Sequence, residues 1–342
     1  MRHRVTLRAR EHLGLLLLLE MAVFGPRAAH AQVIQSITPG TPDLGRVVSG
    51  ASGNTVFRVA PSSGTIIRVS GTGVRLSTGT SRALVTIACN QKSCANTAIN
   101  VRVGSIGSPT GRMAQLTNFL VAAGTASFST NPSGTDPVSF TLNPVGSNGG
   151  TITFYVGADV TILGNASASS TGNATASFYV YIAPSGTTPT LATTSGPSSG
   201  TALASVLRPI TVSNSAPLAF GRIVRPSSGN STVAIAAATG TRTVTGSAIA
   251  LGTPSPTRAT YSIAGEGGQA VSLSIPASLQ MTGPGTALTV SLTSTASGAQ
   301  VLGGALGSAG SLAFTVGGSF TVSNTTVTGA YQGSYAVSVQ YN

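Results

Sequence analysis

The sequence predicts an all-β fold, two tandem antiparallel β-sandwiches behind an export leader, and three observations lead there. Apolar residues recur with period two over short runs bounded by Gly, Pro, Asn or Ser, the mark of strands with one face inward and one in water. A long pattern occurs twice: Leu44-Gly45-Arg46-Val47-Val48 with Ser52-Gly53-Asn54 returns 176 positions later as Phe220-Gly221-Arg222-Ile223-Val224 with Ser228-Gly229-Asn230. Finally, the first thirty-one residues are charged, then apolar, then small.

That opening segment carries Arg2, Arg4, Arg8 and Arg10, an apolar run from Leu13 to Gly25 broken by Glu20, and the small-residue site Ala29-His30-Ala31. The order is that of a secretory signal peptide, and the run is shorter than the ~20 residues a bilayer-spanning helix needs. Residues 1–31 are therefore expected to be removed, so that the mature chain starts at Gln32. After Gly25 no apolar run is long enough to span, so no stable transmembrane segment is expected once the leader is gone. The expected location is the periplasm, the cell surface or the medium.

Within the mature chain the repeat sets the domains. Phe57 and Val59 fall opposite Val233 and Ile235, and Gly64-Thr65 opposite Gly240-Thr241. A second match closes each unit, with residues 150–157 (Gly-Thr-Ile-Thr-Phe-Tyr-Val-Gly) repeated at residues 310–317 (Gly-Ser-Leu-Ala-Phe-Thr-Val-Gly). The period is too long for a solenoid or a propeller blade. Sandwich domains are expected over 32–183 and 205–342. Residues 184–204, rich in Pro, Gly, Ser and Thr and without charge, read as an exposed linker.

Individual strands are legible in both units. Ile99, Val101 and Val103, then Val138, Phe140 and Leu142, then Ile152, Phe154 and Val156 alternate in the first; Val271, Leu273 and Ile275, then Leu288, Val290 and Leu292, then Leu312, Phe314 and Val316 alternate in the second. Such patterns suit antiparallel sandwiches or barrels, since parallel strands are continuously apolar. The segment from Arg112 to Ala123 stays open: Met113, Leu116 and Leu120 have helical spacing, while Leu116 to Val121 reads equally as a strand. Alternating Val, Ile, Leu and Phe argue against disorder.

Composition narrows the chemistry. Of 18 Lys and Arg and 6 Asp and Glu, five bases and two acids lie in the leader, as do all three histidines, His3, His12 and His30. The remainder holds twelve arginines and Lys92 against Asp43, Asp136, Asp159 and Glu266, a net charge of +9. Without histidine a Ser-His-Asp triad or a His/Cys zinc site cannot form. A carboxylate pair of the glycosidase kind could in principle form from Asp136 and Asp159 in the first module, but the other module has only Glu266. Gly71-Thr72-Gly73 and Gly265-Glu266-Gly267-Gly268 lack the strand-to-helix context of a phosphate loop and read as turns. No enzyme, metal or cofactor is expected. The arginines are dispersed singly, unlike a nucleic-acid surface, although long-range attraction to anionic surface polysaccharide or lipid headgroups is compatible with the charge. In an oxidising compartment Cys89 and Cys94 are expected to form one local disulfide, contributing on the order of 2 kcal/mol by loop closure.

At the repeated Leu/Phe-Gly-Arg-Val/Ile-Val opening, the Gly-Thr-Arg-Thr-Val-Thr-Gly run of residues 240–246, the Phe-Thr-Val-Gly-Gly strand of residues 314–318 and the ending from Tyr331 to Asn342, the sequence resembles a bacterial domain-of-unknown-function family, DUF4402, in tandem copies. The resemblance implies an exported β-rich protein of Gram-negative bacteria and supplies no catalytic residues. The ending also resembles the last strand of chaperone–usher pilus subunits, including the spore-coat-U-like archaic pilins, in which alternating apolar residues lead to a penultimate tyrosine. The first module departs from that pattern, with Ile182 where Tyr341 stands.

These likenesses imply immunoglobulin-like or pilin-like sandwiches in a subunit or two-domain tip adhesin of a surface fibre, with a periplasmic chaperone and neighbouring subunits as partners. Tyr335, Val337, Val339 and Tyr341 form the candidate assembly strand, facing one way while Ser334, Ala336, Ser338 and Gln340 face the other. A free secreted or periplasmic module binding glycan or envelope polymer is the alternative, and an ordinary core strand the plain reading of those four residues.

Overall fold

The computed structural model describes residues 37–90, 95–194 and 196–342. The first module holds β1 (Ile37–Pro39), β2 (Asp43–Val48), β3 (Thr55–Val59), β4 (Ile66–Ser70), β5 (Val74–Arg75), β6 (Ala83–Ala88), β7 (Ile99–Thr110), β8 (Thr117–Ala123), β9 (Phe128–Ser133), β10 (Val138–Leu142), β11 (Thr151–Ile162), β12 (Gly172–Pro184) and β13 (Ser199–Leu207). One sheet runs β1-β6-β11-β3-β4 with β8 on β11; the other runs β5-β2-β13-β12-β7-β10-β9. The alternating residues of β7, β10 and β11 all point into a single core, thirty-three buried residues among those described, to which both sheets contribute. In the open segment 112–123, residues 117–123 form strand β8, antiparallel to β11, and no helix forms there.

Strand β13 corrects the expected linker. Residues 199–207 pair antiparallel with β12 along its length and parallel with β2, closing the sheet between them. Its inward positions Gly200, Ala202 and Ala204 are small, facing Phe178, Ala176 and Ala174 of β12, so the segment carries hardly any hydrophobic signal. A Cβ at Gly200 would collide with the Phe178 ring. Ser205, Val206 and Leu207 thus belong to the first module, and the connection to the second is only Arg208-Pro209-Ile210.

The second module holds β14 (Thr211–Ala216), β15 (Ile223–Val224), β16 (Asn230–Ile235), β17 (Arg242–Thr245), β18 (Ile249–Ala250), β19 (Ala259–Glu266), β20 (Ala270–Ser274), β21 (Ser278–Met281), β22 (Leu288–Ser294), β23 (Gly298–Val301), β24 (Ala309–Ser323) and β25 (Ser338–Tyr341). Its sheet β14-β19-β24-β16-β17, with β22 on β24, repeats the first sheet of its partner module. The repeated glycines explain themselves here: β11 and β24 each approach a neighbouring backbone so closely that a Cβ on Gly157 would meet the Val59 carbonyl and one on Gly317 the Ile235 carbonyl, 176 positions on.

The dispersed arginines also find a use. Arg82 donates to the carbonyls of Pro61 and Ser62, and 176 positions later Arg258 donates to those of Ala237 and Ala238. Arg75 holds the Leu44 and Gly79 carbonyls, and Arg242 those of Phe220 and Leu251. A guanidinium fork reaches two carbonyls at once, which an ammonium on a flexible stem does less well. Much of the positive charge therefore pins loops.

Candidate functional site

The site is a strand position that one module fills and the other leaves open. In the first module β13 stands between β2 and β12. In the second, the strands matching that sheet fall into two fragments, β15-β18 and β23-β20-β25. Among the described residues β15 pairs only with β18 and β25 only with β20, so the edges of β15 and β25 that correspond to those bridged by β13 carry no strand. The core divides accordingly. Seven buried residues around Phe220, Val233 and Phe320 form one cluster, and seven around Ile263, Leu273 and Phe314 form another.

The chain's end lies along this opening. Strand β25 pairs Tyr341 with Val271 and Val339 with Leu273. Tyr335, Val337, Val339 and Tyr341 are half-buried against the second cluster, while Ser334, Ala336, Ser338 and Gln340 are exposed. The Tyr335 ring lies 6.3 Å from that of Tyr261, which stacks on Phe314 at 5.0 Å. The Tyr335 hydroxyl is buried and has no hydrogen-bond partner among the described residues, and burial first, then the neighbouring Tyr261 phenol, raise its pKa. On the opposite rim Val224 and Ile249 are exposed, at 44% and 60%.

At its far end the opening reaches the junction between modules. The Tyr341 hydroxyl donates to the Arg208 carbonyl (2.8 Å) and accepts from the Glu266 N–H (2.7 Å), and burial raises its pKa. Glu266 is fully buried. Its carboxylate accepts from Arg208 Nη1 at 2.8 Å, the Arg208 N–H at 3.2 Å, Thr171 Oγ1 at 3.1 Å and the Gly307 N–H at 2.5 Å. Arg46 of the first module reaches the Asn342 carbonyl at 2.5 Å. The end of the candidate assembly strand, the three-residue connection and the first module are thereby tied together.

The remaining sequence candidates lie apart from this site. Asp159 pairs with Arg58 at 2.7 Å and accepts from Asn118, while Asp136 accepts from the Ser105 N–H and hydroxyl, so the two carboxylates serve separate partners. Cys89 is buried at the end of β6; Cys94 and the leader, residues 1–31, lie outside the described residues. Glu266, read from the sequence as part of a turn, is the acid that matters most structurally, and its standing as the lone acid of its module was the available signal.

Residues 210–341 match the model of a family described as a domain of unknown function, DUF4402. The DUF4402 match starts within the three-residue connection and ends one residue before the chain does, so it spans the second module and leaves the first outside it. Among solved structures, the chain aligns with one from the CsuC–CsuE chaperone–tip adhesion subunit pre-assembly complex of the archaic chaperone-usher Csu pili of Acinetobacter baumannii, at 10% identity and a TM-score of 0.26, covering 90% of this chain and 99% of that one. It aligns also with a chain from a chaperone–tip adhesin complex of CFA/I fimbriae biogenesis, at 8% identity and 0.24, covering 89% and 97%. Superpositions at these scores carry no argument for fold or role, and the fold stands on the strand order itself. The comparison with curated proteins finds no match.

Proposed function

We propose that the chain is an exported, non-enzymatic structural protein, a subunit or two-domain tip adhesin of a bacterial surface fibre, whose first module faces outward and whose second plugs into the fibre. The observation that carries this reading is the open strand position between β15 and β25, filled in the sister module by β13. A strand supplied by another chain would pair with both free edges and rejoin the two halves of the core, which is recognition by strand addition. A periplasmic chaperone and then a neighbouring subunit are the partners this implies. The pilin-like alternation of Tyr335, Val337, Val339 and Tyr341 supports the same reading. Removal of residues 1–31 on export would deliver the chain to a compartment in which Cys89 and Cys94 close into a disulfide, and the secreted protein should then have a mass two hydrogens short of the dithiol form.

The test uses the secreted chain from residue 32 and, as a strand probe, a peptide of residues 199–207. Made without a partner, the chain should self-associate or be degraded, and the peptide should hold it monomeric and raise its melting temperature. A thermally stable monomer indifferent to the peptide would sink the fibre reading and leave a free secreted module, binding glycan or envelope polymer, in its place.

A further inference from the structure

Ten of the twelve arginines between residue 32 and residue 342 are committed to carbonyls or carboxylates, through pins such as those of Arg68, Arg112 and Arg225 and the pairs of Arg58 and Arg208. Among the described residues Arg102 and Arg222 hold neither. Arg222 is exposed on a loop of the second module. Arg102 is different, because it stands half-buried in a cleft of about 550 Å³ on the outer face of the first module, a volume within the ~300–1,000 Å³ of small-molecule sites.

The sheet register builds this cleft. Arg102 on β7 lies opposite Ser139 on β10 and opposite Tyr181 on β12, all three on the face turned away from the core, since Val101, Val103, Phe140, Val180 and Ile182 are buried between them. Tyr181 stacks on Tyr179 with centroids 4.2 Å apart and planes at 19°, and burial raises the Tyr179 pKa while the Arg102 charge opposes the rise. The far wall is a loop held by Asn100, whose amide donates to the Thr187 carbonyl at 3.0 Å and accepts from Thr141 Oγ1 at 3.0 Å. Thr130 and Ser139 complete a hydroxyl-rich lining. Asp136 makes no ion pair with Arg102 among the described residues; its carboxylate accepts from Ser105, and its charge reaches the same Tyr179 phenol.

A lone guanidinium among hydroxyl groups suits a ligand with one carboxylate per unit and many hydroxyls. A phosphate polymer would call for several cations in a row. We propose that this cleft binds an acidic saccharide, with Arg102 forking onto the carboxylate of a uronic or sialic acid residue and the Ser and Thr hydroxyls meeting its ring hydroxyls. The site goes beyond the fibre-subunit reading and does not rest on it, because it lies wholly in the first module.

Binding of oligogalacturonate to the secreted chain, immobilised at low density in physiological salt, tests this. Arg102→Gln should weaken it by about tenfold or more, while Arg222→Gln, an identical change in net charge, should leave it unaltered. Ser139→Ala, with the charge kept, should weaken it less, and this variant carries the test should Arg102→Gln fail to fold by near-ultraviolet circular dichroism. Equal loss in the two arginine variants, equal binding of polyglutamate, equal binding of neutral dextran, or no binding of oligogalacturonate would each overturn the proposal.

Discussion

In the first module Ala174, Ala176, Phe178, Val180 and Ile182 of β12 are at most 1% exposed, whereas Tyr335, Val337, Val339 and Tyr341, in the matching place of the second, keep part of their surface. Both segments alternate equally well, and both pair on one side with the strand equivalent to β7. The difference lies on the other side, where β12 has β13 and β25 has no strand. Alternation in a sequence therefore reports which residues face inward, and a neighbouring strand decides whether they are covered. A duplicated unit that lost, or never kept, its closing strand retains the pattern of a core and only part of the burial.

The largest expected effect comes from making the first module resemble the second. A chain of residues 32–198, without β13, should lose on the order of 5 kcal/mol of apolar burial, comparable with the whole stability of a domain. By size exclusion and circular dichroism it should aggregate or unfold, while residues 32–207 fold as a monomer; two equally stable monomers would erase the contrast between modules. Next is the junction. Arg208→Ala strands a fully buried Glu266 carboxylate and should cost about 3 kcal/mol, splitting one calorimetric transition into two if the clamp is what couples the modules. Smaller effects should come from matched core substitutions. Val180→Ser should cost about 3 kcal/mol by urea denaturation and Val339→Ser only about 1, because Val339 is already half in water, and the gap should close when the open position is filled. The smallest is a pH effect. Tyr335 and Tyr341 have raised pKa values in the folded protein, so the stability they carry is whole below pH 10, the ordinary tyrosine value, and is lost as pH rises beyond it. The second module should thus show a lower urea midpoint at pH 11 than at pH 9, and Tyr335→Phe should reduce the drop.

Strands built from large alternating residues, such as Val138-Phe140-Leu142 and Ile152-Phe154-Val156, were legible from the sequence because each carries its own burial signal. So were the faces of the chain's last strand. Strand β13 was not, since Gly200, Ala202 and Ala204 are inward-facing yet small, and of their partners on β12 only Phe178 is large. Nor could the openness of the second module be read, because a missing neighbour leaves no trace in the residues that remain. The arginine pins and the Glu266 clamp depend on loops brought together from far apart in sequence, where spacing carries no information; Arg82 and Arg258 repeat at the shared offset, but so do Arg46 and Arg222, of which only the first is pinned.

Those pins bear on resistance to proteolysis. A trypsin-like protease must draw an arginine side chain off the surface into its own specificity pocket while the surrounding chain lies extended. Here most arginines are held by carbonyls of a different loop, so each scissile bond becomes available only when two loops open together, and local opening of that kind is rarer than the fraying of a single one. A basic protein in a proteolytic environment would ordinarily offer many cut sites. This one offers its cationic side chains mostly to itself.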